Sequence, residues 1–220
     1  MFENVIPLLP EIGIALWQTL LMVTIAVGFG VLGGTPLGIV LFMTNNGQTR
    51  KQALLSSVTN GIVNIVRSFP FIILLVALIP FTRLLLGTTI GPIAAAVPMS
   101  IAAIFYFARL LEQTLRDVPK GVMEAAEAMG ASTFQTVWKV LFVEARAGIV
   151  LNITVLTVSF ISYSSMAGVV GGGGIGDLAI RFGYYRFQTD VMVSMIILLI
   201  VLVQLVQFIG NKIALYLDKR

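Results

Sequence analysis

VMVSMIILLIVLVQLVQFIGNKI, residues 191–213, decides the class of fold. No charge interrupts it before Lys212. As a helix rising about 1.5 Å per residue, it is long enough to cross the roughly 30 Å hydrocarbon core of a bilayer. Four more stretches qualify, at 17–43, 62–86, 91–110 and 148–170. The second extends back to Leu54, with its first half at the cytoplasmic interface and a bend marked by Arg67 and Pro70. Composition agrees, because 58% of the 220 residues are hydrophobic and 11% charged, against about 25% charged in soluble domains.

A second stretch, VVGGGGIGD (Val169–Asp177), matches the spacing of the dinucleotide-binding fingerprint at Gly171, Gly173 and Gly176. That fingerprint requires a buried strand before it and an acid about 20 residues beyond. Here an apolar helix precedes it, and the acid at Asp190 comes too early and leads into the fifth span. The match is accidental. Gly171, Gly172, Gly173, Gly174 and Gly176 are expected to form a flexible turn at the outer end of span four. That turn serves as an outer gate, as a docking surface or as a plain connector. DLAIRFGYYRFQ (Asp177–Gln188) follows as an amphipathic outer segment, with Tyr184, Tyr185 and Phe187 suited to the interface.

The chain has no cysteine and no histidine, which excludes Ser-His-Asp and Cys-His nucleophilic sites and a near-neutral imidazole switch. No cofactor, metal or catalytic residue is expected, and no paired intramembrane carboxylates suggest an enzyme. An odd number of spans places the termini on opposite sides. With the amino terminus outside, Arg50, Lys51, Arg109, Arg116, Lys120, Lys139, Arg146, Lys212, Lys219 and Arg220 lie inside. These are ten of the 14 basic residues, as the positive-inside rule requires. The amino terminus lacks the positive start of a secretory signal, so the first span is expected to remain in the mature chain. With no soluble domain between spans, 1–220 reads as a single transmembrane domain.

The connection from Arg109 to Ala147 carries five basic and five acidic residues, the latter Glu112, Asp117, Glu124, Glu127 and Glu144. Within it, Pro119 can open a helix over Val122–Met129, which Gly130 ends in the left-handed conformation. Ser132, with Gln135 three residues on, forms a capping box for a second helix from Thr133 to about Phe142. Such a pair either lies on lipid or docks on a soluble partner through Val122, Ala125, Ala126 and Met129.

EAAEAMG, Glu124–Gly130, resembles the EAA motif of permease subunits of type I ABC importers. Nine residues, Ala131–Lys139, separate Gly130 from the hydrophobic closing element, as in that family. The usual Leu-Pro is replaced here by Phe142 and Val143. The stretches 66–91 and 162–176 and the final VQFIGNKI (Val206–Ile213) are similar to the permeases of methionine importers. The resemblance implies an all-α bacterial cytoplasmic-membrane protein with five transmembrane helices and a cytoplasmic coupling-helix pair between spans three and four. It implies a second copy of the chain, two copies of a cytoplasmic ATPase, and an extracytoplasmic substrate-binding lipoprotein. Glu124, Ala125, Ala126, Met129 and Gly130 would couple to the ATPase, and the cargo would be methionine or another small amino acid.

An ATP-independent carrier is the alternative, but ion-coupled carriers place ionisable groups in their spans. Only Arg67 stands at depth here, as a snorkelling cation or as a gate or subunit contact. In span four, Thr154, Thr157, Ser159, Ser162, Tyr163, Ser164 and Ser165 either line a path with Met166 or bond their own backbone. Gly28, Gly30, Gly33, Gly34 and Gly38 in span one predict close helix approach.

Overall fold

The computed structural model describes residues 4–45 and 50–218, so Lys219 and Arg220 of the charge count lie outside the described residues. Every element among the described residues is helical. α1 (Leu9–Asn45) follows a 3-10 turn at Ile6–Leu8 and extends well before the predicted start of span one.

The predicted second span, 62–86, is not one helix. α2 (Arg50–Ser68) meets α3 (Phe71–Ala77) at a bend of 100°, and α3 gives way at Leu78 to α4 (Ile79–Leu86). The first break belongs to Pro70, which has no N–H and pushes Phe69 out of the helical region; Pro80 then starts α4. Among the described residues, four helices are long and apolar enough to cross a membrane alone, with a fifth crossing if the bent pair counts as one.

α5 (Pro92–Arg116) is followed by α6 (Lys120–Ala128) and α7 (Thr133–Gln135). A π-helix at Thr136–Leu141 continues α7 into α8 (Phe142–Glu144). α9 (Arg146–Ala167), α10 (Gly174–Leu178) and α11 (Thr189–Leu217) complete the chain.

The α1–α5 seam organises the bundle. A Cβ on Gly30 would lie 2.7 Å from Ala103 Cβ, one on Gly34 2.7 Å from the Ile104 carbonyl oxygen, and one on Gly38 2.8 Å from the Ala108 carbonyl oxygen. Gly33 similarly faces Ile104. Lipid offers apolar surface as good as a neighbouring helix, so close backbone approach is what drives this pairing. The predicted role holds for these four glycines and fails for Gly28, which has nothing within 4 Å of where its Cβ would lie. Beyond the seam, Glu112, only 1% exposed, pairs with Arg109 (2.5 Å) and Arg116 (2.6 Å). Arg109 also donates to Asn60 Oδ1 (3.0 Å), tying α2 to α5.

The same contacts fix direction. Residue numbers rise together along α1 and α5. They run oppositely in α9, where Asn152 donates to the Leu110 carbonyl (3.0 Å) and Gly148 faces Thr114. α11 is antiparallel to α9, since Arg146 Nε donates to the Leu217 carbonyl (2.9 Å) and Gly210 packs on Thr154. Asn4 bonds Asp190 at the opposite end of the bundle (3.1 Å).

The glycine run directly follows α9, as expected, but α1 continues well beyond it. Gly174 and Ile175 meet Gln18 and Thr19, which are about 20 Å along the helix axis from Asn4. α9 therefore stops short. The chain covers the remaining distance as α10 and a π-helix at Ala179–Tyr184, burying Ile175, Leu178 and Phe182 with Leu8, Ala15, Val191 and Met195. The segment is amphipathic, as expected: its apolar side joins this packed layer, and Tyr184, Tyr185 and Phe187 are left exposed.

Replacing Gly34 with valine should force α1 and α5 apart, costing about 1–3 kcal/mol, whereas Gly28→Ala should be neutral. Thermal unfolding of the purified protein in detergent would show a lower midpoint for the first variant only.

Candidate functional site

At the end of the bundle that carries Arg116 and Arg146, α6 stands as a short cap. Pro119 is its N-cap, and Gly130, at φ +78°, closes it. Gly130 N–H donates to the Glu127 carbonyl (2.9 Å) and Ala131 N–H to the Ala126 carbonyl (3.0 Å), the paired bonds of a Schellman motif. The capping box is present in full: Ser132 N–H donates to Gln135 Oε1 (2.9 Å) and Gln135 N–H to Ser132 Oγ (3.4 Å).

Local sequence thus fixes a helix, a tight turn and a second helix. α6 turns Ala126 inward, 1% exposed, and Val122 and Met123 pack with it against the core. Glu124, Ala125 and Gly130 are exposed, and Met129 is 82% exposed. Beside them Phe134 and Trp138 form an exposed aromatic pair, their centroids 6.1 Å apart.

In α9 most hydroxyls are spent on the helix itself. Thr154, Thr157 and Ser159 each donate to the carbonyl four residues back (2.9, 2.7 and 2.8 Å), and buried Ser164 donates to Ile161 (2.6 Å). Ser162 and Met166 are exposed. Ser162 and Ser165 border a cavity of about 360 Å³ between α9 and α11, which Gln204 also lines.

Tyr163 turns the other way. Its ring stacks on Phe71 of α3 (4.5 Å, interplanar angle 6°) and meets Phe160 edge-on (5.1 Å). With Arg67 and Tyr106 it borders a second cavity, of about 100 Å³, at the bend between α2 and α3.

The break after α9 is tightly built. Val170 and Gly171 leave the helical region, and Gly173 and Gly174 have φ of +75° and +87°. Gly174 N–H donates to Gln18 Oε1 (2.8 Å) and Ile175 N–H to Thr19 Oγ1 (3.0 Å), so α1 side chains cap the start of α10. A Cβ on Gly172 would lie 2.8 Å from the Ala167 carbonyl oxygen, and one on Gly176 would collide with the Ser165 backbone. The predicted flexible turn is instead a packed joint.

Residues 34–220 match the family described as the binding-protein-dependent transport system inner membrane component. The chain belongs to that family. It is 46% identical over 206 residues to the probable D-methionine transport system permease protein MetI of Vibrio cholerae, covering 94% of this chain and 92% of the relative. It is 39% identical over 222 residues to the methionine import system permease protein MetP of Bacillus subtilis, covering both chains in full. Among solved structures it is similar to the MetNI methionine ABC transporter in an inward-facing form. The TM-score is 0.93 at 41% identity, over 97% of this chain and 99% of that one. An amino acid ABC transporter solved with histidines shares the fold alone, with a TM-score of 0.80 at 17% identity over 97% of each chain.

Within this inner membrane component, the predicted site residues separate into three groups. Glu124, Ala125, Met129 and Gly130 share one exposed surface, while Ala126 faces its own chain. Tyr163 joins an aromatic cluster, Ser162 and Met166 face outward, and Ser159 and Ser164 bond their own helix. Gly171, Gly172, Gly173, Gly174 and Gly176 form one joint. Sequence reasoning passed over Gln18 and Thr19, whose only signal was polarity within an apolar helix.

Replacing Gln18 with alanine or Thr19 with valine should remove one cap each and cost about 0.5–2 kcal/mol. Faster amide exchange at Gly174 and Ile175, with α6 unchanged, is the expected readout.

Proposed function

We propose that the chain is the membrane-spanning permease subunit of an ATP-driven methionine importer. It pairs with a second copy of itself, binds two copies of a cytoplasmic ATPase on separate chains, and receives substrate from an extracytoplasmic binding lipoprotein. Residues 1–220 act as one transmembrane domain of the bacterial cytoplasmic membrane. The amino terminus lies outside and α6 lies inside. Arg116, Lys120, Lys139 and Arg146 support that orientation by gathering at the α6 end. The names of the relatives supply the cargo.

The observation that carries the reading is the exposed surface of α6. A helix seated on its own chain through Ala126, with Glu124 and Met129 left in solvent, fits insertion into a groove of a soluble partner. Resting on lipid would leave Glu124 and Glu127 facing the wrong medium. In this reading Glu124, Ala125, Met129 and Gly130 meet the ATPase, and Ala126 acts through the seat. Substrate passes Ser162, Tyr163 and Met166, with Ser159 and Ser164 shaping the helix that presents them. The joint at Gly171–Gly176 is the outer gate.

Met129→Asp and Gly130→Val should each lower ATP-driven methionine uptake in proteoliposomes by about tenfold or more, the loss of one interface hot spot. Both should weaken co-purification of the ATPase without reducing membrane insertion. Full uptake and normal assembly in both variants, or uptake by the chain alone without ATP, would overturn the proposal.

A further inference from the structure

Among the described residues, no acid pairs with Arg67. Arg67 lies in the last turn of α2, its guanidinium carbon 5.8 Å from the centroid of the Tyr106 ring. Tyr106 is ten residues before Arg116 in α5, about 15 Å from that end of the helix. Glu112 is taken by Arg109 and Arg116, and Asp177 by Arg181. The other described acids lie away from Arg67: Glu11 and Asp190 in the first turns of α1 and α11, Asp117 and Asp218 at the C-caps of α5 and α11, and Glu124, Glu127 and Glu144 in the α6–α8 connection.

An arginine at membrane depth is costly unless it reaches water or an anion. What Arg67 borders is the cavity of about 100 Å³ whose walls include Phe71, Leu74, Ala102, Tyr106 and Tyr163. A guanidinium presents paired donors that match the two oxygens of a carboxylate. Aromatic faces attract both an ammonium group and a thioether sulfur. The cavity suits the charged head of an amino acid.

Resting on the reading of the chain as an amino-acid importer, we propose that Arg67 and the Phe71–Tyr106–Tyr163 walls form a transit site. Arg67 binds the α-carboxylate while the aromatic rings hold the apolar tail. The shared chemistry is a small oxyanion, which a lipid phosphate would also satisfy.

This chain has no cysteine of its own, so an introduced one is the single thiol it reports. In the full complex with its ATPase, Ala102→Cys is treated with anionic and cationic thiol reagents, and Val66→Cys on α2 gives a second report. The anionic reagent should react about tenfold faster relative to the cationic one when Arg67 is present, and Arg67→Gln should abolish that preference. Millimolar methionine should slow modification in the Arg67 background and not in Arg67→Gln. No charge preference, or a preference without methionine protection in a complex that carries methionine, would overturn the transit site. Protection by added anionic lipid alone would overturn it in favour of a headgroup site. Failure of the wild-type complex to carry methionine, with the charge preference intact, would strike the importer reading instead.

Discussion

Hydrocarbon offers no hydrogen bonds, so every backbone group at membrane depth must find its partner inside the protein. The joint after α9 shows what that demands. A chain that leaves the helical region at Val170 and Gly171 exposes amides at the start of α10, and Gln18 and Thr19 of α1 receive them at 2.8 and 3.0 Å. The same demand explains why the α9 hydroxyls return to carbonyls of their own helix. It also explains why buried Glu112 is held by two arginines. Since apolar burial does little to favour one helix pair over another in lipid, shape decides, and the glycines of α1 let α5 approach until side chains touch backbone.

What was legible in the sequence was local. The capping box at Ser132 and Gln135 and the left-handed Gly130 depend on residues within a few positions of each other, and both form as read. The bend at Pro70 is likewise a property of one imide ring. The glycine stripe announced close approach but not its partner, and Gly28 shows that small size alone does not place a residue on the seam. The run at Gly171–Gly176 ends α9 where the apolar count ends, but the count does not show what packs on it. Only contacts with Gln18 and Thr19, 156 residues away, reveal that α1 caps the segment that follows. Ala125 and Ala126 look alike in sequence; the packing of Val122, Met123 and Phe42 beneath α6 separates the exposed one from the buried one.

On the proposed function, force applied at α6 must reach the joint beyond α9. α1 meets both places. Phe42 and Met43, near its end, border with Met123 and Glu127 a cavity of about 180 Å³ under the helix pair. Gln18 and Thr19, near its start, hold the joint. Coupling between distant sites needs an element with two arrangements rather than contact alone. The broken segments, α3–α4 on one side and the joint after α9 on the other, border one small cavity lined by Leu75, Ile79, Thr82, Val170 and Gly172, and Gly91, the N-cap of α5, donates to the Gly171 carbonyl (2.9 Å). Two interruptions facing each other across a continuous helix pair give the bundle joints without loosening its seam.

The distribution of charge says where the energy must enter. A carrier that runs on protons or sodium needs titratable groups along its path. Among the described residues, the spans of this chain offer hydroxyls, aromatic rings and Arg67 instead, and the acids fall near helix ends or in tight pairs. An arginine keeps its proton at any physiological pH, so it can hold an anion but cannot relay a proton. Release from such a group requires the surrounding helices to move. The helices that frame Arg67 are the bent pair α2–α3 and the seam helix α5. On the proposed function, a tightly packed bundle whose acids are paired or lie near helix ends is moved from outside, with α6 as the surface it offers.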